Sequence, residues 1–166
     1  MIKKLGINYI IIGHSENRAS GETDKIIKEK LLLALKNNFT VIFCIGENKK
    51  EKRRKETLKV LKNQISKTIT NKRVFKNIII AYEPIWSIGT GIVPSPNELK
   101  TNAIALKKFI KDKFRLTYNP KLLYGGSVDK KTIHNFQTIK ELDGFLIGGA
   151  SKSAKNFIDI IKNFYK

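Results

Sequence analysis

The chain has 166 residues, enough for one sizeable core, because a domain of this length buries about 70% of the surface its unfolded chain exposes. Its 33 Lys and Arg against 14 Asp and Glu give a formal net charge of +19, spread along the chain beside abundant Asn and Ile. That reads as a habit of composition, which attracts anionic substrates, rather than as a dedicated nucleic-acid surface. A single cysteine, Cys44, excludes an intrachain disulfide and suits a reducing compartment, and with no signal-like amino terminus and no long apolar run the expected location is the cytoplasm, with no membrane partner.

In chain order, residues 1–5 read as the last turn of a helix closed by Gly6. Residues 8–13 (NYIIIG) form the first predicted strand, followed at once by the polar cluster His14-Ser15-Glu16-Asn17-Arg18. Residues 24–37 are a predicted helix with Ile27, Leu31, Ala34 and Leu35 on one face. The second strand covers 40–46 (TVIFCIG), with Glu47 just beyond it. A charged run, 49–56, opens one helix as a solvated face, with Leu58, Leu61, Ile65 and Ile69 as its buried stripe.

The third strand, 77–83, carries the β-branched run Ile78-Ile79-Ile80, the composition of a strand buried on both faces. Pro84 cannot donate to a ladder and pushes Glu83 towards an extended conformation, so the strand ends there with a carboxylate at its carboxyl-terminal mouth. Glu83 is therefore the first catalytic candidate. Gly89 and Gly91 bracket Thr90 after the apolar Ile85, Trp86 and Ile88, which suits a loop that swings as a unit over a site. Ser95-Pro96-Asn97-Glu98 is a capping box with proline at the first helical position, and the helix runs to about Phe114 with Leu99, Ala103, Leu106 and Ile110 facing inward. A fourth strand, 121–125, ends in Gly125-Gly126-Ser127, and a short helix at about 130–136 carries His134 as a surface histidine. A fifth strand, 143–147, ends in Gly148-Gly149, and the last helix has Ala154, Phe157, Ile158, Ile161 and Phe164 as its stripe.

Strand and helix thus alternate five times in one expected domain, 1–166, and right-handed crossovers make such a chain an α/β fold with a parallel sheet. Polar residues at the carboxyl ends of parallel strands converge on one face, and here they are His14, Glu47, Glu83, Ser127 and the pair Gly148-Gly149. One histidine and two separated glutamates lack metal-ligand spacing, and no Ser-His-Asp triad is supported. What remains is a base, an electrophile and glycine-rich turns whose N–H groups, with Ser127, can cradle a phosphate.

Five stretches carry a family resemblance: Tyr9–Glu16 (YIIIGHSE), Cys44–Glu47 (CIGE), Ala81–Gly91 (AYEPIWSIGTG), Leu123–Val128 (LYGGSV) and Asp143–Ser151 (DGFLIGGAS). In order and spacing they resemble triosephosphate isomerase. The resemblance implies a (β/α)₈ TIM barrel of about 250 residues, of which this chain corresponds to the fourth to eighth βα units, with no counterpart of the first three. It implies interconversion of dihydroxyacetone phosphate and glyceraldehyde 3-phosphate, in glycolysis and gluconeogenesis, without metal or cofactor. Glu83 then corresponds to the general base and His14 to a neutral imidazole that polarises the carbonyl, triosephosphate isomerase being the standard instance of that device. Gly89, Ser127, Gly148 and Gly149 correspond to the phosphate-binding residues, the stretch 84–94 to the lid, and Trp86 to its anchor. The family also uses an asparagine and a lysine from its first βα loop, the lysine pairing with the acid matching Glu16, and forms a homodimer through a loop of its third unit. None of these has a counterpart here, so the expectation is a chain inactive alone, with doubtful homodimerisation. The alternatives are a non-catalytic half-barrel module that pairs its sheet edges with a complementary fragment and, on charge alone, a nucleic-acid binder.

Overall fold

Five aliphatic runs assemble into one parallel sheet in the order of the chain: β1 (Tyr9–Ile12), β2 (Thr40–Ile45), β3 (Ile78–Tyr82), β4 (Leu122–Tyr124) and β5 (Gly144–Phe145). The computed structural model describes residues 2–165; Met1, expected in the opening turn, and Lys166 lie outside the described residues. Register is set by pairings such as Tyr9 with Thr40, Val41 with Ile78, Ile80 with Leu122 and Leu123 with Gly144. Every pairing is parallel, as the alternation of strands and helices requires. No helix among the described residues is long and apolar enough to cross a membrane.

The helices are α1 (Ser15–Ala19), α2 (Asp24–Lys36), α3 (Lys49–Arg53), α4 (Thr57–Thr68), α5 (Pro96–Phe114) and α6 (Ala154–Phe164). Ile27, Leu31 and Ala34 of α2, Leu61 and Ile65 of α4, and Leu99, Ala103, Leu106 and Ile110 of α5 are buried in one core with Val41, Phe43, Ile45, Ile78 and Ile80 of the sheet. Each of the larger of these side chains contributes about 1.5 to 3 kcal/mol by leaving water.

Several local expectations are corrected. The opening turn is a 3₁₀ helix, Ile2–Leu5, which Gly6 closes at φ 76°. The polar cluster after β1, to which no element was assigned, forms α1 with His14 as its N-cap. The charged run does not open a single helix. Asn48 and Glu51 make a capping box for α3, which ends when Lys55 turns left-handed at φ 58°. The Lys55 N–H then reaches the Lys52 carbonyl and the Glu56 N–H reaches that of Glu51, the two bonds of a Schellman ending. Asn38 and Arg115 end α2 and α5 in the same way, and the apolar residues that follow them, Phe39 and Leu116, are buried. Ser95 caps α5 by accepting the Glu98 N–H at 3.2 Å.

An unforeseen 3₁₀ segment, Lys72–Asn77, precedes β3 and buries Phe75 against Phe114. The helix expected at 130–136 is a 3₁₀ turn, Ile133–Phe136, with His134 exposed as anticipated. β5 is shorter than 143–147. The Asp143 carboxylate turns back to the Leu122 N–H and Lys107, Gly144 sits at φ 153°, and β5 has a partner on one side only. The stripe of α6 is also corrected: Ile160 is its buried residue, whereas Phe157, Ile158 and Ile161 are exposed. An apolar stripe needs a facing surface, and α6 meets one only on the side where Phe164 packs edge-on to Phe145 at 5.5 Å.

Candidate active site

The carboxyl ends of the strands open into a cavity of about 340 Å³ lined by His14, Glu83, Gly89, Ser127, Gly148 and Gly149 among others. All six residues singled out by the sequence are therefore brought together at one mouth. Glu47, also at a strand end, is not on that wall; it is buried behind it.

Glu83 follows β3 directly, and only 3% of its surface is exposed. Its backbone is fixed by an N–H bond to the Ile45 carbonyl, 2.8 Å. Close approach of glycines makes this possible. A Cβ on Gly46 would lie 1.8 Å from the Glu83 carbonyl oxygen, and one on Gly125 would lie 2.8 Å from its Cγ. Burial holds the carboxyl above the ordinary carboxylate range, although the nearby His14, the Cys44 thiol and the Ser15 N–H pull the other way. Burial likewise pushes up the Cys44 thiol, helped by the neighbouring Glu83 charge.

His14 reaches this carboxylate from the end of β1, its Nε2 lying 3.4 Å from Glu83 Oε1. Its Nδ1 accepts the Glu16 N–H at 3.4 Å, which places the proton of an uncharged ring on Nε2, facing the cavity. The turn bearing His14 is held by Arg18, whose guanidinium bonds the carbonyls of Gly13 and Cys44 and the carboxylate of Asp24. The sequence reading placed Arg18 in a polar cluster and gave it no task. Glu16 itself is exposed, its carboxylate 3.9 Å from His14 Nδ1.

The loop after Glu83 is tethered at both ends. Trp86 lies in the 3₁₀ turn Ile85–Ser87 and donates its indole N–H to Glu47 Oε1 at 2.8 Å, an oxygen that also accepts from Tyr82 and Thr57. Lys52 lies over the Trp86 ring. At the far end the Gly91 N–H reaches Ser127 Oγ at 3.3 Å, and Ser127 Oγ donates to the Ser87 carbonyl. Gly89 and Gly91 have φ of 69° and 74°, the left-handed region that glycine occupies without strain. A Cβ on Gly148 or Gly149 would meet nothing within 4 Å, so these two leave the wall beside the 3₁₀ turn Gly149–Lys152 open.

Ser87, beside this mouth, is a further polar residue to which the sequence assigned nothing. It is fully buried, and its hydroxyl bonds Ile92, Tyr124 and Ser127. Its single signal was a hydroxyl inside an otherwise apolar Ile-Trp-Ser-Ile string.

A family model of triosephosphate isomerase matches residues 1–164, nearly the whole chain. The chain belongs to the triosephosphate isomerase family. It is 40% identical to the triosephosphate isomerase of Ruthia magnifica over 98% of its own length and 67% of that protein. For the Neurospora crassa enzyme the figures are 39%, 95% and 64%, and for that of Buchnera aphidicola from Cinara cedri 42%, 98% and 65%. The chain thus spans about two-thirds of the length of the curated relatives it matches. The parallel α/β sheet is accordingly part of a TIM barrel.

Proposed function

We propose that the chain supplies the carboxyl-terminal part of a triosephosphate isomerase active site, converting dihydroxyacetone phosphate into glyceraldehyde 3-phosphate through an enediolate. The observation that carries this reading is the buried Glu83 carboxylate 3.4 Å from His14 Nε2, facing the glycine-lined cavity. The carboxylate removes a proton from C1 while the Nε2–H of His14 donates to the carbonyl oxygen at C2. The carboxylic acid so formed returns its proton to C2 while His14 Nε2 takes the proton of the C1 hydroxyl, giving the aldehyde at C1 and the hydroxyl at C2 and restoring both side chains. A base held partly protonation-prone by burial is suited to both directions of that transfer.

Gly89, Ser127, Gly148 and Gly149 hold the phosphate through backbone N–H groups and the serine. The lid 84–94 closes over the enediolate and keeps water away from it. The asparagine and lysine of the family's first βα loop would come from outside these residues, and so would the loop through which a family homodimer forms. A preorganised donor of that kind is worth about 2.7 to 4 kcal/mol in a transition state, or two to three powers of ten in rate. The 166-residue chain alone is therefore expected to show little or no turnover.

The unpaired edges of β1 and β5 and the exposed Tyr9, Ile11 and Ile161 favour a complement that covers them. The test is a coupled glyceraldehyde 3-phosphate assay on the chain alone, on the chain with a separately expressed fragment bearing a relative's first three βα units, and on the same mixture with Glu83→Gln. Turnover is expected only in the second sample. A chain alone turning over at about 10 to 10³ per second would refute the dependence on the family's first three βα units. Equal rates with Glu83→Gln would remove Glu83 from the chemistry. A mixture that forms a stable but inactive complex would favour the non-catalytic half-barrel.

A further inference from the structure

Two polar contacts from the lid to the rest of the mouth, and one between the lid's two limbs, converge on one atom. Ser87 Oγ donates to the Ile92 carbonyl at 2.6 Å and accepts the Ser127 N–H at 3.3 Å, with the Tyr124 hydroxyl 3.1 Å away. A serine oxygen offers one donor and two acceptor directions, and these neighbours use all of them. Ile92 lies on the far limb of the lid, Ser87 on the near limb, and Ser127 on the turn after β4. The space around this atom is tightly kept, since a Cβ on Gly126 would sit 2.7 Å from Ser87 Oγ and 2.1 Å from the Tyr124 hydroxyl oxygen. Burial pushes the Tyr124 hydroxyl up to about 12, so it remains a donor at neutral pH.

Other ties across the lid are of a different kind. Thr90 Oγ1 bonds the Trp86 and Ser87 carbonyls and the Ile92 N–H, all within the lid itself. Gly91 donates to Ser127 Oγ, which in turn donates to the Ser87 carbonyl, so the Ser127 side chain adds a tie from outside the lid. Pro94, at the lid's far end, has no N–H with which to bond the turn after β4. Among the lid's own side chains, the Ser87 hydroxyl is the group that joins both limbs to the Ser127 turn.

From this geometry we infer that Ser87 is a positioning residue for anion binding: its hydroxyl sets the two limbs of the lid against the Ser127 turn, and so fixes where the Gly89 N–H stands relative to a phosphate bound beside that turn. The inference rests on the phosphate site given under the proposed function and adds the residue that organises it. It assigns Ser87 no contact with substrate.

The chain contains a reporter for the test. Trp86 is its one tryptophan, adjoins Ser87 and is anchored on Glu47, so its emission responds to the state of the lid. The experiment titrates inorganic phosphate into the dilute 166-residue chain, into Ser87→Ala and into Ser87→Cys, following Trp86 fluorescence, with thermal unfolding measured on each. The cysteine variant nearly preserves volume but replaces the hydroxyl by a weak donor and acceptor. For the unaltered chain, a saturable change in emission is expected. Both variants should need about threefold to tenfold more phosphate for the same half-response, the equivalent of one hydrogen bond. A cysteine variant that matches the unaltered chain would overturn the inference, because packing alone would then explain the site. An unaltered chain that shows no saturable response would instead overturn the phosphate site itself, whatever the variants do.

Discussion

Inner and outer strands of this sheet use the same residues in different surroundings. Val41, Phe43, Ile80, Tyr82 and Tyr124, on β2, β3 and β4, are sealed from water, whereas Tyr9 and Ile11 on β1 stand 60% and 49% exposed. The candidate site divides along the same line. Glu83 and the Glu47 anchor belong to the inner strands, where neighbours on both sides fix the backbone. His14 comes from the outer strand β1, depends on Arg18 for its placement, and keeps a side chain 30% exposed. Precision in the site therefore follows the number of neighbours a strand has, since a side chain is held only as firmly as the backbone beneath it.

The contrast can be broken most severely at Gly46. Gly46→Ala drives a Cβ into the Glu83 backbone carbonyl, which has no flexible end to yield, so a stability loss of at least about 3 kcal/mol is expected in urea unfolding. Gly149→Ala, whose Cβ would meet nothing within 4 Å, should leave the unfolding midpoint within about 0.5 kcal/mol of the parent. Equal losses at the two positions would erase the distinction.

Next in size is Glu83→Asp in the complemented protein. Withdrawing the carboxylate by one methylene misplaces it by about 1 Å, which should lower kcat about a hundredfold while KM changes little. An unaltered kcat would show that Glu83 takes no proton. For the outer strands the double variant Tyr9→Lys, Ile161→Lys puts charges on an unpaired edge and an exposed apolar stripe. Size-exclusion chromatography of the chain alone should shift towards monomer with little change in melting temperature; unchanged assembly would mean that these edges do not mediate it.

A smaller effect is expected at Trp86, which ties the loop after Glu83 to Glu47. Trp86→Phe removes the indole donor from Glu47 Oε1, leaving Tyr82 and Thr57, and should cost about 1 kcal/mol of stability. The smallest is a slope. Burial raises the Glu83 carboxyl above its ordinary 4.5, so the folded chain holds that proton longer than the unfolded chain. Its contribution is full below the unfolded value and is lost as pH rises through the folded one. Glu83→Gln should flatten that decline, making the variant relatively more stable at neutral pH than near pH 4. A variant with the parent's slope would assign the pH dependence to other groups.

Much of the fold was legible because periodicity reports burial directly. The stripes of α2, α4 and α5 were read from spacing, and Pro84 after a β-branched run placed the end of β3 within one residue, at Glu83 where the strand stops at Tyr82. Two kinds of feature were not legible. Helix ends at Asn38, Lys55 and Arg115 use left-handed residues other than glycine, and what makes them tolerable, at least at Asn38 and Arg115, is an apolar residue just beyond that finds a place in the core. The stripe of α6 was read with the same rule that succeeded for α5, and it failed because the facing surface is missing on one side.

Residue order alone was enough for the strand ends, the parallel alternation of strands and helices, and the gathering of His14, Glu83, Ser127, Gly148 and Gly149 at the mouth, because each depends on local spacing and on proline and glycine at particular positions; Gly89 came with the family resemblance, and Glu47, read the same way, lies behind the wall. Tertiary structure alone decided that Glu83 is buried against His14, that Arg18 holds the turn and that Ser87 joins the lid to Ser127. Those contacts bring together side chains up to about 70 positions apart in the chain, and the distances and burial that give them their chemistry exist only once the strands have paired.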